Sequence, residues 1–167
     1  MFSFTRNKTI NVNEFENLIK ENKERLYKIA YSYVGNSYDA MDIVQEAVYK
    51  AYVKKSNLKQ PEYFMTWITR ILINCAIDFL KKSKKITNFD ENFNEADKNK
   101  VTPEEIIDLY SALKDLDERS KAIVVLRYFE DMTLKDISNI LDLPLSTTKT
   151  ILYRTLSELK IKLEEND

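Results

Sequence analysis

The sequence contains no histidine, one cysteine, one glycine and three prolines in 167 residues. Without histidine the usual general base, the proton shuttle and the commonest zinc ligand are missing, so Ser-His, Cys-His and metal-assisted hydrolytic chemistry lack their ordinary parts. No catalytic residue, metal or cofactor is expected, and the chain is not read as an enzyme. A lone Cys75 cannot close an intramolecular disulfide, and its place on an apolar stripe fits a buried structural thiol in a reducing compartment. So little glycine and proline leaves scant turn chemistry for β-hairpins, and the fold expected is all-α. No early apolar run has the form of a signal peptide, and no run is read as both long and uncharged enough to span a bilayer. The expected protein is cytoplasmic and not membrane-inserted.

What the chain does have is helical periodicity and segregated charge. The net charge of -1 hides nine Lys/Arg against two Asp/Glu from Lys50 to Lys85, and six acids against two lysines from Ile86 to Glu105. A basic block in an otherwise acidic-to-neutral chain is a local footprint for a polyanion; a solvated helix face is the plainer alternative.

The stretch Phe64–Lys82 carries two faces at 100° per residue. Phe64, Ile68, Ile71, Leu72, Cys75, Ala76 and Phe79 form a core stripe. Trp67, Arg70, Asn74, Asp78 and Lys81 share another sector, flanked by Lys82, Lys84 and Lys85. An indole beside a guanidinium and an amide can stack an unpaired base and read its edge. A half-buried Trp at a helix rim among solvated charges is the structural alternative.

Met1 to Asn13 shows no sustained periodicity and reads as a loosely held terminus. A first helix runs from Glu14 to Val34, closed by Gly35-Asn36, and a second spans Asp39–Val53 with small inward residues. Lys54–Tyr63 is a basic loop held apart from the third helix by Pro61. Lys84 to Val101 lacks the apolar surface to offset its ordering entropy and reads as a linker. Thr102-Pro103-Glu104-Glu105 then has the form of a helix start, with Thr as N-cap and Pro in the first turn. Asp117 and Thr133 are positioned to cap two further helices, and Asp142-Leu143-Pro144 breaks the second of them. The last helix begins at Ser146, with Thr148, Leu152, Leu156 and Leu159 inward. The short helix, tight turn and longer helix form a helix-turn-helix pattern, whose second helix would present Ser146, Lys149, Thr150, Tyr153, Arg154, Ser157 and Lys160 to a DNA groove. Any αα-corner in a trihelical core shows similar spacing.

In combination, DAMDIVQEAVYKAY, FMTWITRILINCAIDFLKK and TLKDISNILDLPLSTTKTILYRTLSELK resemble the extracytoplasmic-function group of bacterial sigma factors. The resemblance covers nearly everything from Glu14 to Leu163. It implies two small helical domains joined by a flexible linker: region 2 over 10–83, linker 84–102, region 4 over 103–167. It further implies docking of Asp39, Asp42, Gln45 and Glu46 on the clamp helices of core RNA polymerase. Trp67, Arg70, Asn74, Lys81 and Lys82 would meet the minus-ten element, with Asn74 reading a flipped base. Ser146, Lys149, Thr150, Tyr153 and Arg154 would meet the minus-35 duplex. The partners implied are core polymerase, promoter DNA as duplex and as melted non-template strand, and an anti-sigma factor, often membrane-bound. Ile151 and Asp142 depart from the family's usual basic residue and glycine. A stand-alone helix-turn-helix regulator is the rival reading; it explains the second domain but neither the Trp67 sector nor the acidic motif.

Overall fold

The structure, a computed structural model, describes residues 9–87 and 112–165, and no strand occurs among the described residues. Helix α1 (Val12–Val34) starts earlier than periodicity suggested, because Asn11 and Glu14 form a capping box. The Asn11 carboxamide accepts from the Glu14 N–H at 2.9 Å, and the Glu14 carboxylate accepts from the Asn11 N–H at 3.1 Å. Ile10 just before the cap and Phe15 just inside are both buried, the spacing of a hydrophobic staple. Order therefore reaches into the segment expected to be loose.

Gly35, the chain's single glycine, ends α1 at φ 71°, donating to the Tyr31 carbonyl at 2.8 Å. Asn36 does not close α1 but caps α2 (Ser37–Val53), accepting from the Asp39 N–H. Ala40, Ile43, Ala47 and Ala51 are fully buried, and these mostly small side chains let α2 approach its neighbours closely. Two single 3₁₀ turns, Lys55–Asn57 and Pro61–Tyr63, lead into α3 (Phe64–Thr87) with Leu58 buried between them. Helix α3 outlasts its expected end at Lys82 and takes up the first residues of the expected linker. Helices α1, α2 and α3 pack pairwise into the first unit.

One expectation is corrected here: the segment Pro61–Lys84 is long and apolar enough to cross a membrane. Phe64, Ile68, Leu72, Cys75 and Ala76 are instead buried in the protein core, which consumes the apolar stripe. The Thr102–Glu105 helix start and most of the expected linker lie outside the described residues.

The second unit opens with helical residues 112–114, followed by α4 (Glu118–Val124) capped by Asp117 as its sequence position predicts. A π-helical turn, Val125–Phe129, extends α4 and closes with Glu130 N–H to the Val125 carbonyl at 3.3 Å. Helix α5 (Leu134–Leu141) is capped by Thr133 and ends on Asp142 at φ 55°, the left-handed conformation that Asp tolerates better than most residues. Helix α6 (Leu145–Glu165) buries Thr148, Leu152, Thr155 and Leu159. The two buried hydroxyls donate to carbonyls one turn back, Pro144 and Ile151, so neither is left unsatisfied. The two units touch: α3 packs on α5, and α1 on the π-helical turn.

Candidate nucleic-acid interface

Helix α3 proves to have three faces rather than two. The first is the core stripe, ending in a half-buried Ile71 and Phe79. The second is the predicted sector, with Arg70, Asn74, Asp78 and Lys81 exposed and Trp67 half-buried. Trp67 lies 6.2 Å from the Phe64 ring, itself edge-on to Phe15 at 6.0 Å, so the indole is backed by core aromatics and held as a rigid wall. Lys82 is exposed beside Lys81. The third face was not anticipated: Thr69 and Ile73 are buried and Ile77 and Leu80 half-buried on the side turned to the second unit. The signal available was Ile73, Ile77 and Leu80 themselves, apolar residues that the core stripe leaves over.

Arg70 stands at the border of the second and third faces. Its Nε donates to the Ile140 carbonyl at 3.0 Å and its Nη2 to the Asn139 carbonyl, at the C-terminal end of α5. The predicted backbone-holding cation is thus engaged with the second unit, while Asn74 and Trp67 keep their outward positions.

On α6, Ser146, Lys149, Thr150, Tyr153 and Arg154 are all exposed along one face. Thr150 donates to the Ser146 carbonyl at 3.0 Å, and Arg154 lies 3.8 Å from Glu158. That exposed ion pair is weak and leaves the guanidinium available to phosphate. The helix is positioned by α5, whose N-terminal cap and αL end fix the three-residue turn before Leu145.

The acidic motif divides. Asp42 and Gln45 are exposed on α2, as expected for docking groups. Glu46 pairs with Lys50 at 2.8 Å, and this hydrogen bond holds the Lys50 ammonium above its usual range. Asp39 is half-buried and accepts from Asn36 Nδ2 at 2.7 Å, closing the cap of α2. Next to these acids runs a groove of about 1100 Å³ between α1 and α2, lined chiefly by Phe15, Ile19, Met41, Val44, Val48 and Tyr49. Met41 and Tyr49 are exposed at its edge. Sequence reading missed this surface because Met41, Gln45 and Tyr49 recur four apart outside the buried row.

Burial pushes the Cys75 thiol above its ordinary range, consistent with an inert structural cysteine. Among the described residues no cluster of His, Cys, Asp and Glu is placed to hold a metal ion.

The chain matches the family model for sigma-70 region 2 over residues 18–86 and that for sigma-70 region 4 over residues 112–160. It is 41% identical over 150 residues to the RNA polymerase sigma factor SigV of Bacillus subtilis (strain 168), covering 89% of this chain and 90% of the relative. It is 26% identical to the ECF RNA polymerase sigma factor SigW of the same strain, covering 90% and 89%. Among solved structures it shares its fold with the sigma factor RpoE in complex with the anti-sigma factor NepR from Bartonella quintana. That match has a TM-score of 0.78 at 18% identity and covers 92% of this chain and 98% of the other. The structure of CnrH in complex with the cytosolic domain of CnrY gives 0.73 at 22% identity, covering 94% and 92%. The capped helix-turn-helix, the aromatic-backed sector of α3 and the acid-bearing α2 therefore stand in a chain that belongs to the extracytoplasmic-function group of the sigma-70 family, alternative sigma factors that direct promoter-specific transcription by RNA polymerase.

Proposed function

We propose that this sigma factor divides its work among three helices. Helix α2 docks on core polymerase through Asp42, Gln45 and Glu46, with Met41, Val48 and Tyr49 of the adjoining groove supplying apolar contact and Asp39 shaping the helix end. Exposed Asp42 and Glu46 on α2 suit a basic stretch of a helical partner. The apolar groove beside them, whose rim carries Lys20 and Lys23 as well as Glu16 and Glu24, supplies area to bury. Complementary potential steers docking and buried apolar area holds it. Helix α6 reads the minus-35 duplex through Ser146, Lys149, Thr150, Tyr153 and Arg154. The α3 sector acts on the minus-ten element: Trp67 walls the melted junction, Asn74 reads an extruded base of the non-template strand, and Arg70, Lys81 and Lys82 hold backbone. Capture of bases once they leave the stack shifts the duplex toward the open form, with no chemical step by the protein itself.

The observation that carries this reading is Asn74 exposed about two turns along α3 from an indole that the core holds rigid. An amide there both donates to and accepts from a base edge. We assign region 2 to residues 10–83 and region 4 to 103–167. By analogy with the solved complexes, an anti-sigma factor, membrane-bound in its simplest form, would hold the protein inactive in the cytoplasm. Run-off transcription with core polymerase, with and without the protein, tests the reading. Promoter-specific transcripts only with both support it; a footprint by the protein alone with no transcripts favours a stand-alone regulator.

A further inference from the structure

Helix α6 turns a line of uncharged side chains away from its core. Its buried row is Thr148, Leu152, Thr155 and Leu159. At about 100° per residue the direction opposite that row falls between Thr150 and Ser157, with Ser146 and Tyr153 close beside them, and all four are exposed. Lys149 and Arg154, also exposed, stand on the two flanks of that line rather than on it. A helix lying in a major groove brings its flanks toward the sugar-phosphate backbones and its outermost line toward the base edges. The cations are therefore placed for phosphate. The line that meets the bases holds none of the Arg, Lys, Asn or Gln side chains that grip a purine through two hydrogen bonds.

Two hydroxyls on that line are turned back on their own helix. Thr150 Oγ1 donates to the Ser146 carbonyl at 3.0 Å, and Ser157 Oγ donates to the Tyr153 carbonyl at 3.1 Å. Each hydroxyl has one proton, so neither keeps a donor for the N7, O6 or O4 acceptors of a base edge. What Thr150 still has to offer is its γ-methyl. Thr150 also lies in the second turn of α6, within the N-terminal part of a recognition helix that reaches bases.

We propose that Thr150 is a specificity-determining residue for the minus-35 element, its γ-methyl packing on the C5-methyl of a thymine. The proposal rests on the reading of α6 as the minus-35 helix and adds to it the base that is read. The thymine methyl is the one apolar group in the major-groove code. An apolar reader thus tells A·T from T·A by where that methyl lies, and both from G·C by its absence. A methyl contact discriminates only if the reader is held still, and the bond to the Ser146 carbonyl supplies this by fixing the Thr150 side-chain torsion. The hydroxyl thereby serves as the brace and the methyl as the reader.

The test uses the full chain with core polymerase on a promoter duplex in which each thymine of the minus-35 element, on either strand, is replaced in turn by deoxyuridine. Uracil pairs as thymine does and lacks only the methyl. Protection of the element is titrated at fixed salt. The wild type should bind about fourfold more weakly at one thymine position, the worth of one buried methyl, and be indifferent at the others. Thr150→Ser keeps the hydroxyl and drops the methyl; it should bind the unmodified promoter about fourfold more weakly and ignore uracil at that position. Thr150→Val keeps a methyl there without the hydroxyl and should retain the thymine preference. All three proteins should melt alike, since the position is exposed. A wild type that tolerates uracil everywhere overturns the assignment. So does a Thr150→Ser protein that still loses fourfold at the same thymine, or a Thr150→Val protein that loses the preference. A wild-type complex that leaves the minus-35 element unprotected fails the reading of α6 and this assignment with it, whereas protection that persists through every uracil fails the assignment alone.

Discussion

Single residues in this protein are given positions that suit one job better than another. Asn74 is exposed on the same sector of α3 as Trp67, about two turns further along, which leaves its amide open to a ligand. Asn74→Ala should leave helical content and melting temperature unchanged while costing on the order of 1 to 3 kcal/mol of discrimination at one base of the minus-ten element. A base-substitution series read by permanganate reactivity of the bubble measures it. Wild-type preference at every base would make the amide structural. Asp117 is the opposite case, committed to the fold. Burial works to raise its carboxyl, but the Ser120 hydroxyl at 2.6 Å, the Ser120 N–H at 3.0 Å and the Arg119 N–H at 3.1 Å prevail and hold it below the ordinary 3.8. A carboxyl lowered by folding contributes stability that is present above the ordinary value and lost as pH falls through the folded one. Asp117→Ala should therefore destabilise by about 1 kcal/mol near neutrality, as loss of an N-cap does. Denaturant melts of wild type and variant should converge at low pH.

At the scale of elements, caps were legible and contacts across the molecule were not. Asp117 and Thr133 announce their helices because a short polar side chain before an apolar-periodic run has few other uses. Asn11 was passed over because its capping box lies before the periodicity becomes visible. The outward faces of α2 and α6 could be read because exposure there follows from the position of the core alone. The third face of α3 could not, since its partner α5 lies some seventy residues along the chain and nothing local distinguishes a covered Ile73 from a stray one. The two exposed faces carry their own predictions. Asp42→Lys with Glu46→Lys should weaken core-polymerase association severalfold in a pull-down titration while helical content holds; Met41→Ala with Tyr49→Ala should do so independently through the groove. Unchanged association in both pairs would place docking elsewhere. On α6, Lys149→Ala and Arg154→Ala should each flatten the salt dependence of minus-35 binding in the polymerase complex by about one unit in log-log slope per lost phosphate contact.

The whole molecule brings the units together through the apolar third face of α3 and through charges that each look like ordinary surface residues in the sequence. Arg25 and Glu130 are 105 residues apart, and only their meeting explains why a glutamate beside a turn is buried. Lys121 is the most informative of these groups. Burial pulls its ammonium below the ordinary 10.5, against the pull of Glu118 upward, so the packed units hold a charge that is not fully compensated. The face of Tyr33 at 5.6 Å returns part of that cost through the ring quadrupole. Replacing a buried charge by an apolar side chain of similar length removes the desolvation penalty and keeps the packing. Lys121→Met should thus raise stability by about 1 kcal/mol or more. Denaturant and thermal melts of wild type and variant measure it. A Lys121→Met protein that melts lower would mean that the ammonium and the Tyr33 ring hold the units together more strongly than dehydration drives them apart.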